Sequence, residues 1–308
     1  MQTHKRILFI TNGLRDESGA LREMDGLLGD SIARLTILAV TPTIPSGIQN
    51  YVEDFDQKVA AKLEADYRKL KTKPAEAVDY KVERSDQPFL AIIQNILAND
   101  YDAVVKTAEP TTRTHGYDAL DMSLLRKCPT PLWLLKPSAA TGGESPGTIT
   151  VAIDPVFAES GARQLSLALL READAVAARQ SAPLQIVACW TSPLGTARGN
   201  PFLNITEEQV EEESRTIRDA QFETLTKLID ECGVQSPYEI VQLNGDPAPA
   251  IPAYTKKAPS RLLVMGTVAR TGIPGFIMGN TAENIFHELA CSIVAIKPPG
   301  WVCPIKPK

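Results

Sequence analysis

Short apolar runs recur along the chain, and each has the length of a buried β-strand. In the first half these runs occupy residues 6–12, 35–40, 82–86, 101–105 and 131–137. Similar runs follow in the same order in the second half, at residues 148–154, 184–189, 241–246, 260–264 and 292–298. A shared order over all these pairs is hard to produce by chance, so the sequence predicts an internal repeat.

Segments with the helical spacing of apolar residues lie between the apolar runs. They cover residues 59–70, 89–97, 162–178, 206–229 and 280–289. Strands that alternate with helices are typical of βαβ units and of a parallel sheet, whose buried strands are continuously apolar. The pattern therefore predicts an α/β fold of two tandem doubly wound domains, each Rossmann-like with a five-stranded parallel sheet.

A stretch rich in Gly, Ser and Pro, residues 138–147, separates the two copies. Such a composition has little apolar surface to bury and is typical of a linker. We predict a first domain at residues 1–138, a linker at 139–147 and a second domain at 148–300.

The charge of the chain argues against two classes of partner. Its 308 residues carry 32 Lys and Arg against 37 Asp and Glu, a net charge of -5 without a long basic run. Binding to phosphates of nucleic acid needs a basic face, so no nucleic acid is expected. No apolar run approaches the roughly 20 residues that span a bilayer. We therefore expect no membrane partner and a cytoplasmic location.

Motifs for metal binding or catalysis are missing from the sequence. The cysteines form no CxxC pair, and no histidine has a second one at ligand spacing. HExxH, GxSxG, GxxxxGK[ST] and GxGxxG do not occur either. We expect no catalytic residues, no metal site, and inert, mostly buried thiols.

A glycine-rich segment follows the fourth apolar run of the second half. Its glycines are Gly266, Gly272, Gly275 and Gly279. It leads into a helical segment at Asn280, which together with Glu283 has the form of an N-cap and its reciprocal partner. Glycine lets backbone N–H groups approach a ligand, and a helix N-terminus favours an anion. The segment therefore suits a phosphate group.

The end of the first strand of the second half, Ile153 and Asp154, should meet this segment at the carboxyl edge of the sheet. There Asp154 can accept a hydrogen bond from a ribose hydroxyl or a base nitrogen, and Arg270 can clamp a phosphate. The alternative is that the glycines only turn the chain, that Asp154 and Asn280 only cap helices, and that Arg270 is solvated.

These residues resemble a known family. The second half is similar to a universal stress protein domain, whose nucleotide-binding members carry GxxGx9G[ST] after the fourth strand. Gly266 and Gly279 are thirteen residues apart, as this pattern requires. The apolar segments 128–135 and 291–296 resemble the final strand of the family. The resemblance covers nearly the whole chain as two copies, closest to tandem E-type members, and implies an adenine nucleotide alpha hydrolase-like fold.

The resemblance implies a site for an adenine nucleotide in the second half, with ATP and magnesium as the candidate ligands. Asp154 matches the acidic residue after the first strand, and Cys189 falls where the family contacts the adenine. Met265 lies beside the base and ribose. The full candidate set is Ile153, Asp154, Cys189, Met265, Gly266, Arg270, Gly272, Gly279, Asn280 and Thr281.

Both copies depart from the family pattern. In the second, Ala269 replaces the middle glycine and Asn280 replaces the Ser or Thr after the last one. In the first, Asn12 stands at the Asp position, and residues 106–116 contain a single glycine together with Pro110. We expect the first copy to be degenerate for nucleotide and retained for packing or for another ligand.

The resemblance also implies that the last strands, at residues 132–135 and 293–296, pack on each other. The two halves then form an intramolecular pseudo-dimer, and a homodimer remains an alternative.

Three functions remain open. The first is a non-enzymatic stress-response protein that a nucleotide regulates. The second is an interaction or chaperone-like module that binds no nucleotide or a different small ligand, which Ala269 and Asn280 favour. The third is a slow ATP hydrolase; it lacks a base, a nucleophile or a metal cluster beside the loop, although Asp154 can assist a magnesium ion.

Overall fold

The computed structural model describes residues 5–47, 54–70, 77–109, 117–136, 147–156, 160–258, 260–267 and 279–306. In this part of the chain, ten strands form one sheet. The strands are β1 (Lys5–Thr11), β2 (Ile32–Thr41), β3 (Ala77–Arg84), β4 (Ala103–Thr107), β5 (Leu132–Leu135), β6 (Thr148–Ala152), β7 (Leu184–Trp190), β8 (Tyr238–Asn244), β9 (Ser260–Gly266) and β10 (Ser292–Ile296). Their order across the sheet is β3-β2-β1-β4-β5-β10-β9-β6-β7-β8. Each half contributes five neighbouring strands, which confirms the predicted α/β fold.

The described helices cover both faces of the sheet. They are α1 (Ser18–Leu28), α2 (Phe55–Arg68), α3 (Pro88–Ala98), α4 (Ala119–Lys127), α5 (Ser160–Gln180), α6 (Pro193–Ala197), α7 (Glu207–Cys232), α8 (Pro247–Lys257) and α9 (Asn280–Glu288). Buried side chains of α1, α2, α5 and α7 share one apolar core with one face of the sheet. Those of α3, α4, α8 and α9 share a second core with the other face. The arrangement is doubly wound in both halves.

Continuous apolar runs form the central strands because helices cover both of their sides. In β1, for example, Ile7, Leu8 and Phe9 are all fully buried, although they point to alternate faces. The helical spacing correctly located α2, α3, α5, α7 and α9. It did not locate α1, α4, α6 or α8, the last of which contains Pro252 within the helix.

The two halves meet where β5 pairs with β10. This pair is antiparallel and places Trp133 opposite Val294, whereas the other strand pairs of the sheet are parallel. The expected contact between the last strands is therefore present. It takes the form of backbone pairing, which joins the two five-stranded units into one sheet.

Two lysines that follow these last strands reach across the junction in opposite directions. The Lys136 Nζ donates to the Leu289 carbonyl at the end of α9, at 2.6 Å. The Lys297 Nζ donates to the Leu125 carbonyl near the end of α4, at 2.5 Å. Each half thus supplies a cation to the negative end of the last helix of the other half, where the helix dipole favours it.

None of the described helices has both the length and the apolar character that crossing a membrane requires. The predicted linker, 139–147, lies outside the described residues except for Gly147. Gly147 has a φ of +64°, and a Cβ there would lie 2.9 Å from the Cβ of Arg261, so a larger residue does not fit.

Candidate functional site

The order of the strands reverses between β6 and β9 in the second half. From β6 the chain continues to β7 and β8 on one side of the sheet, and it returns to β9 on the other side. The crevice outside the carboxyl ends of two such strands is where doubly wound sheets bind ligands. Asp154 follows β6 and Thr267 follows β9, so the two segments singled out in the sequence border the same crevice.

Asp154 is exposed at this edge. Its Oδ1 accepts a hydrogen bond from the backbone N–H of Val156, at 3.1 Å, in a local turn that fixes the direction of the carboxylate. The donor lies before α5, which begins at Ser160, so this bond is not a helix cap.

Cys189 and Asp246 lie near Asp154. Burial, together with the negative charges of Asp246 and Asp154, raises the pKa of the Cys189 thiol to about 11. Asp246 caps α8 by accepting from the Ala248 N–H at 2.7 Å. Asp246 was not predicted as a site residue, although its position between a strand and a helix N-terminus could have indicated one.

Ile153 and Met265 lie on opposite faces of the sheet. Ile153 is 3% exposed and packs in the core with α5 and α7, whereas Met265 is 6% exposed and packs in the core with α8 and α9. Both are core side chains. Cys189 is partly buried and packs against the same core as Met265, on the face opposite Ile153.

The turn that leads into α9 is held to the sheet by Thr267. The backbone N–H of Gly279 donates to the Thr267 carbonyl at 3.2 Å, and the Thr267 N–H donates to the Ile296 carbonyl at 3.3 Å. Thr267 is fully buried, and its Oγ1 accepts from the Lys297 Nζ. These bonds fix where α9 begins relative to β9 and β10.

The start of α9 differs from the expected capping arrangement. Gly279 is the N-cap residue, and Asn280 is the first residue of the helix rather than its cap. Glu283 does not reach back, because its carboxylate pairs with Arg126 of the first half. A glycine at the N-cap has no side chain with which to cap the amides of the first turn, so an external acceptor can take that role. Asn280 and Thr281 are exposed beside it.

Gly266 is required for packing rather than for an unusual backbone conformation. A Cβ at this position would lie 2.8 Å from Cδ2 of Leu165, a residue of α5. The small residue that the family pattern requires here lets α5 lie close to the end of β9.

The remaining candidates, Arg270 and Gly272, lie outside the described residues. The same holds for Gly275 and for Ala269, the departure from the family pattern.

The first half has the same crevice between β1 and β4, but different side chains border it. Asn12, the counterpart of Asp154, makes the same turn: its Oδ1 accepts from the Leu14 N–H at 3.0 Å. Lys106 stands at the position of Met265, and Asp118 is the N-cap of α4 at the position of Gly279. A carboxylate thus replaces the bare glycine at the helix N-terminus.

Lys106 belongs to a buried cluster of charges. Only 3% of its side chain is exposed, and its Nζ lies 3.1 Å from Glu109 Oε1 and 3.0 Å from Asp121 Oδ1. Glu109 also pairs with Arg15, at 2.6 Å. Burial raises the pKa of Asp121, against the opposing effect of Lys106. The charges at this edge are therefore paired among themselves.

A second buried carboxylate links the loops of the first half. Glu17 accepts from the hydroxyl of Thr11 at 2.5 Å and from that of Thr107 at 3.2 Å. Thr107 is the counterpart of Gly266. This bond ties the segment after β1 to the end of β4.

The thiols are poor nucleophiles. Burial raises the pKa of Cys128 to about 12 and that of Cys291 to about 11, so both stay protonated at neutral pH. The expectation that most cysteines are buried was wrong, because only Cys128 is fully buried and the other four are half-buried. In the described ranges, no group of three or more His, Cys, Asp or Glu residues is placed to hold a metal ion.

Comparisons with known proteins agree on one family. Residues 147–297 match the model of the universal stress protein family. A protein named universal stress protein E from Photorhabdus laumondii is 27% identical over 234 residues, which is 74% of this chain and 72% of that protein. Its namesake from Escherichia coli K12 is 28% identical over 233 residues, covering 74% and 71% of the two chains.

Solved structures show the same fold over nearly the whole chain. A functionally unknown protein from Pseudomonas aeruginosa PAO1 has a TM-score of 0.69 at 21% identity, and the match covers 96% of this chain and 94% of that one. A universal stress protein from Archaeoglobus fulgidus has a TM-score of 0.57 at 18% identity, with coverage of 96% and 97%.

Proposed function

The chain contains a universal stress protein domain at residues 147–297, and from this premise we propose that it is a non-enzymatic stress-response protein regulated by an adenine nucleotide. The nucleotide binds in the crevice between β6 and β9 of the second half. One observation carries the proposal: Asp154 after β6 and the N-cap Gly279, which leads from β9 into α9, border one crevice, and Cys189 and Met265 pack with the same core on one face of the sheet.

Each part of this crevice suits one part of the ligand. The carboxylate of Asp154 can accept a hydrogen bond from a ribose hydroxyl. The surface of Met265 and Cys189 can contact an apolar ring such as adenine. The amides of the first turn of α9, together with the helix dipole, can receive a phosphate. Magnesium is expected to accompany ATP, since a phosphate chain supplies most of its ligands.

The proposed role is regulatory rather than catalytic. The thiol nearest the crevice, Cys189, has a raised pKa and is protonated at neutral pH. A ligand that contacts both Asp154, after β6, and Gly279, before α9, can stabilise one arrangement of these two segments. Such a shift can change the affinity of the protein for a partner. Magnesium-dependent release of phosphate from ATP, lost in Asp154→Ala, would instead favour a slow hydrolase.

We also propose that the two halves, 1–138 and 148–300, act as an intramolecular pseudo-dimer. The pairing of β5 with β10 and the reciprocal bonds of Lys136 and Lys297 support this assembly. An unpaired edge strand would otherwise invite association with other chains. Sedimentation should show a stable species of 33.5 kDa; a species of twice that mass would indicate the homodimer.

Calorimetric titration of the full chain with ATP and magnesium tests the nucleotide site. We expect saturation near one site per chain. Gly279→Val should abolish binding, because the side chain enters the space before the first turn of α9. Asp118→Val, at the equivalent position before α4, is the matched control and should leave binding unchanged. No saturation in the wild-type chain would favour an interaction module that binds no nucleotide.

A further inference from the structure

The first half carries a cavity that the proposed nucleotide site does not use. It has a volume of about 390 Å³ and opens at the carboxyl edge, between the ends of β1, β2 and β4 and the starts of α3 and α4. Small-molecule sites typically have volumes of this order or somewhat larger. Its apolar lining consists of Ile10, Val40, Pro42, Pro88, Ile92 and Leu120.

The apolar wall of this cavity is part of the packed core. Ile10, Val40 and Ile92 are 2%, 6% and 1% exposed, and all belong to the core beneath α3 and α4. Side chains held this tightly do not need to rearrange when a ligand enters. The wall therefore offers a preformed surface for an apolar ring or chain.

The cation in the lining is already paired with oxygen atoms of the protein. The Lys106 Nζ donates to the Thr107 carbonyl and to Glu109 Oε1, and it lies 3.0 Å from Asp121 Oδ1. A phosphate or carboxylate ligand would have to compete with these oxygens for the ammonium.

The rim of the cavity carries a carboxylate that stays ionised. Asp86 accepts from both the N–H and the hydroxyl of Thr43, at 3.0 and 2.5 Å, and these bonds lower its pKa. Among the described residues that line this cavity or bond to its lining, Arg15 and Lys106 face four carboxylates, those of Asp86, Glu109, Asp121 and Glu17. The excess charge is negative, which disfavours an anion and favours a cation.

We propose that this cavity binds a small organic amine. The apolar part of the ligand packs against Ile10, Val40 and Ile92, and its ammonium group lies at the rim near Asp86. The first half is then a second, chemically different ligand site, and its occupation does not depend on whether a nucleotide binds in the second half.

Three probes that share a phenyl ring and differ in charge test this proposal on the full chain. They are phenethylamine, 2-phenylethanol and phenylacetate, and ligand-detected NMR gives their dissociation constants. Phenethylamine should saturate at about millimolar concentration, as expected for so small a ligand. It should bind about tenfold more tightly than phenylacetate, and excess ATP should not displace it. Absence of saturation, or equal binding of phenylacetate, would overturn the proposal.

Two variants locate the site. Asp86→Asn keeps an acceptor for Thr43 and should weaken the binding of phenethylamine about three- to tenfold without changing the binding of 2-phenylethanol. Leu120→Trp should fill the cavity and weaken the binding of both probes, with folding checked by circular dichroism. Asp246→Asn, at the equivalent turn of the second half, should change the binding of neither probe. Unchanged amine binding in Asp86→Asn, or an equal loss in Asp246→Asn, would contradict the proposal.

Discussion

The two halves share one arrangement of strands and differ in what borders the carboxyl edge. In the second half, the exposed carboxylate of Asp154 and a helix N-terminus with Gly279 as its N-cap border the crevice. In the first half, Lys106 pairs with Asp121, Glu17 bonds to Thr107, and Asp118 precedes the helix. The two halves therefore share a fold without sharing the same side chains at the carboxyl edge. The order of the strands depends on buried apolar residues, and these do not lie at that edge.

The two halves also differ in how their edge groups are paired. In the first half the buried ammonium of Lys106 pairs with Glu109 and Asp121, whereas Met265 holds the equivalent position in the second half. The comparison can be tested by changing one half toward the other.

The largest effect is expected from Lys106→Met, which places the residue type of Met265 in the first half. Removing the ammonium leaves the fully buried carboxylate of Asp121 without its cation. Breaking such a buried pair typically costs about 3–5 kcal/mol of unfolding free energy, which urea denaturation measures. The double variant Lys106→Met with Asp121→Leu should recover a large part of the lost unfolding free energy. A loss below about 1 kcal/mol would mean that the cluster does not stabilise the first half.

The junction between the halves should show a pH dependence that Lys297 causes. Burial lowers the pKa of Lys297 from 10.5 to about 8, so between these values the unfolded chain binds a proton that the folded chain has lost. The contribution of Lys297 to stability therefore rises with pH over this interval, in total by on the order of 3 kcal/mol.

Comparison with Lys297→Met isolates this effect from the other groups that titrate. The stability of the wild-type chain relative to the variant should increase from pH 7.5 to pH 10.5. Parallel curves for the two proteins would show that Lys297 is not held in a buried environment.

The smallest effect is expected from Gly266→Ala, which moves the second half toward the larger residue of the first. The new Cβ would meet Leu165 at 2.8 Å, and the flexible end of Leu165 can shift, so thermal unfolding should show a loss of about 1 kcal/mol. Gly26→Ala is the control: nothing lies within 4 Å of its Cβ position in α1, and alanine should stabilise the helix slightly. Equal shifts in both variants would contradict the packing role of Gly266.

Much of the fold could be predicted from the sequence because parallel strands are buried on both sides and are therefore apolar throughout. The repeat and the order of the strands along the chain followed from such runs, whereas the contact between β5 and β10 was implied by the resemblance to a family. The helix α8 was not predicted, because Pro247 and Pro252 interrupt its apolar pattern. Pro247 lies at the start of the helix, where proline is tolerated.

The candidate site was predictable only in part. The position of Asp154 followed from where its strand ends. The N-cap at Gly279 did not, because Glu283 pairs with Arg126, a partner 157 residues away along the chain. The charge cluster around Lys106 depends on three separate segments in the same way, and no local pattern in the sequence indicates it.

The most direct test of the account compares Asp154→Ala with Asn12→Ala in calorimetric titrations with ATP and magnesium. Both residues make the same turn to the N–H two positions later, so both variants lose the same bond to the backbone of the turn. We predict that Asp154→Ala weakens ATP binding at least about tenfold, as expected for a lost hydrogen bond to a charged group, and that Asn12→Ala leaves it unchanged. Equal affinities in the two variants, or a larger loss in Asn12→Ala, would contradict a nucleotide site in the second half.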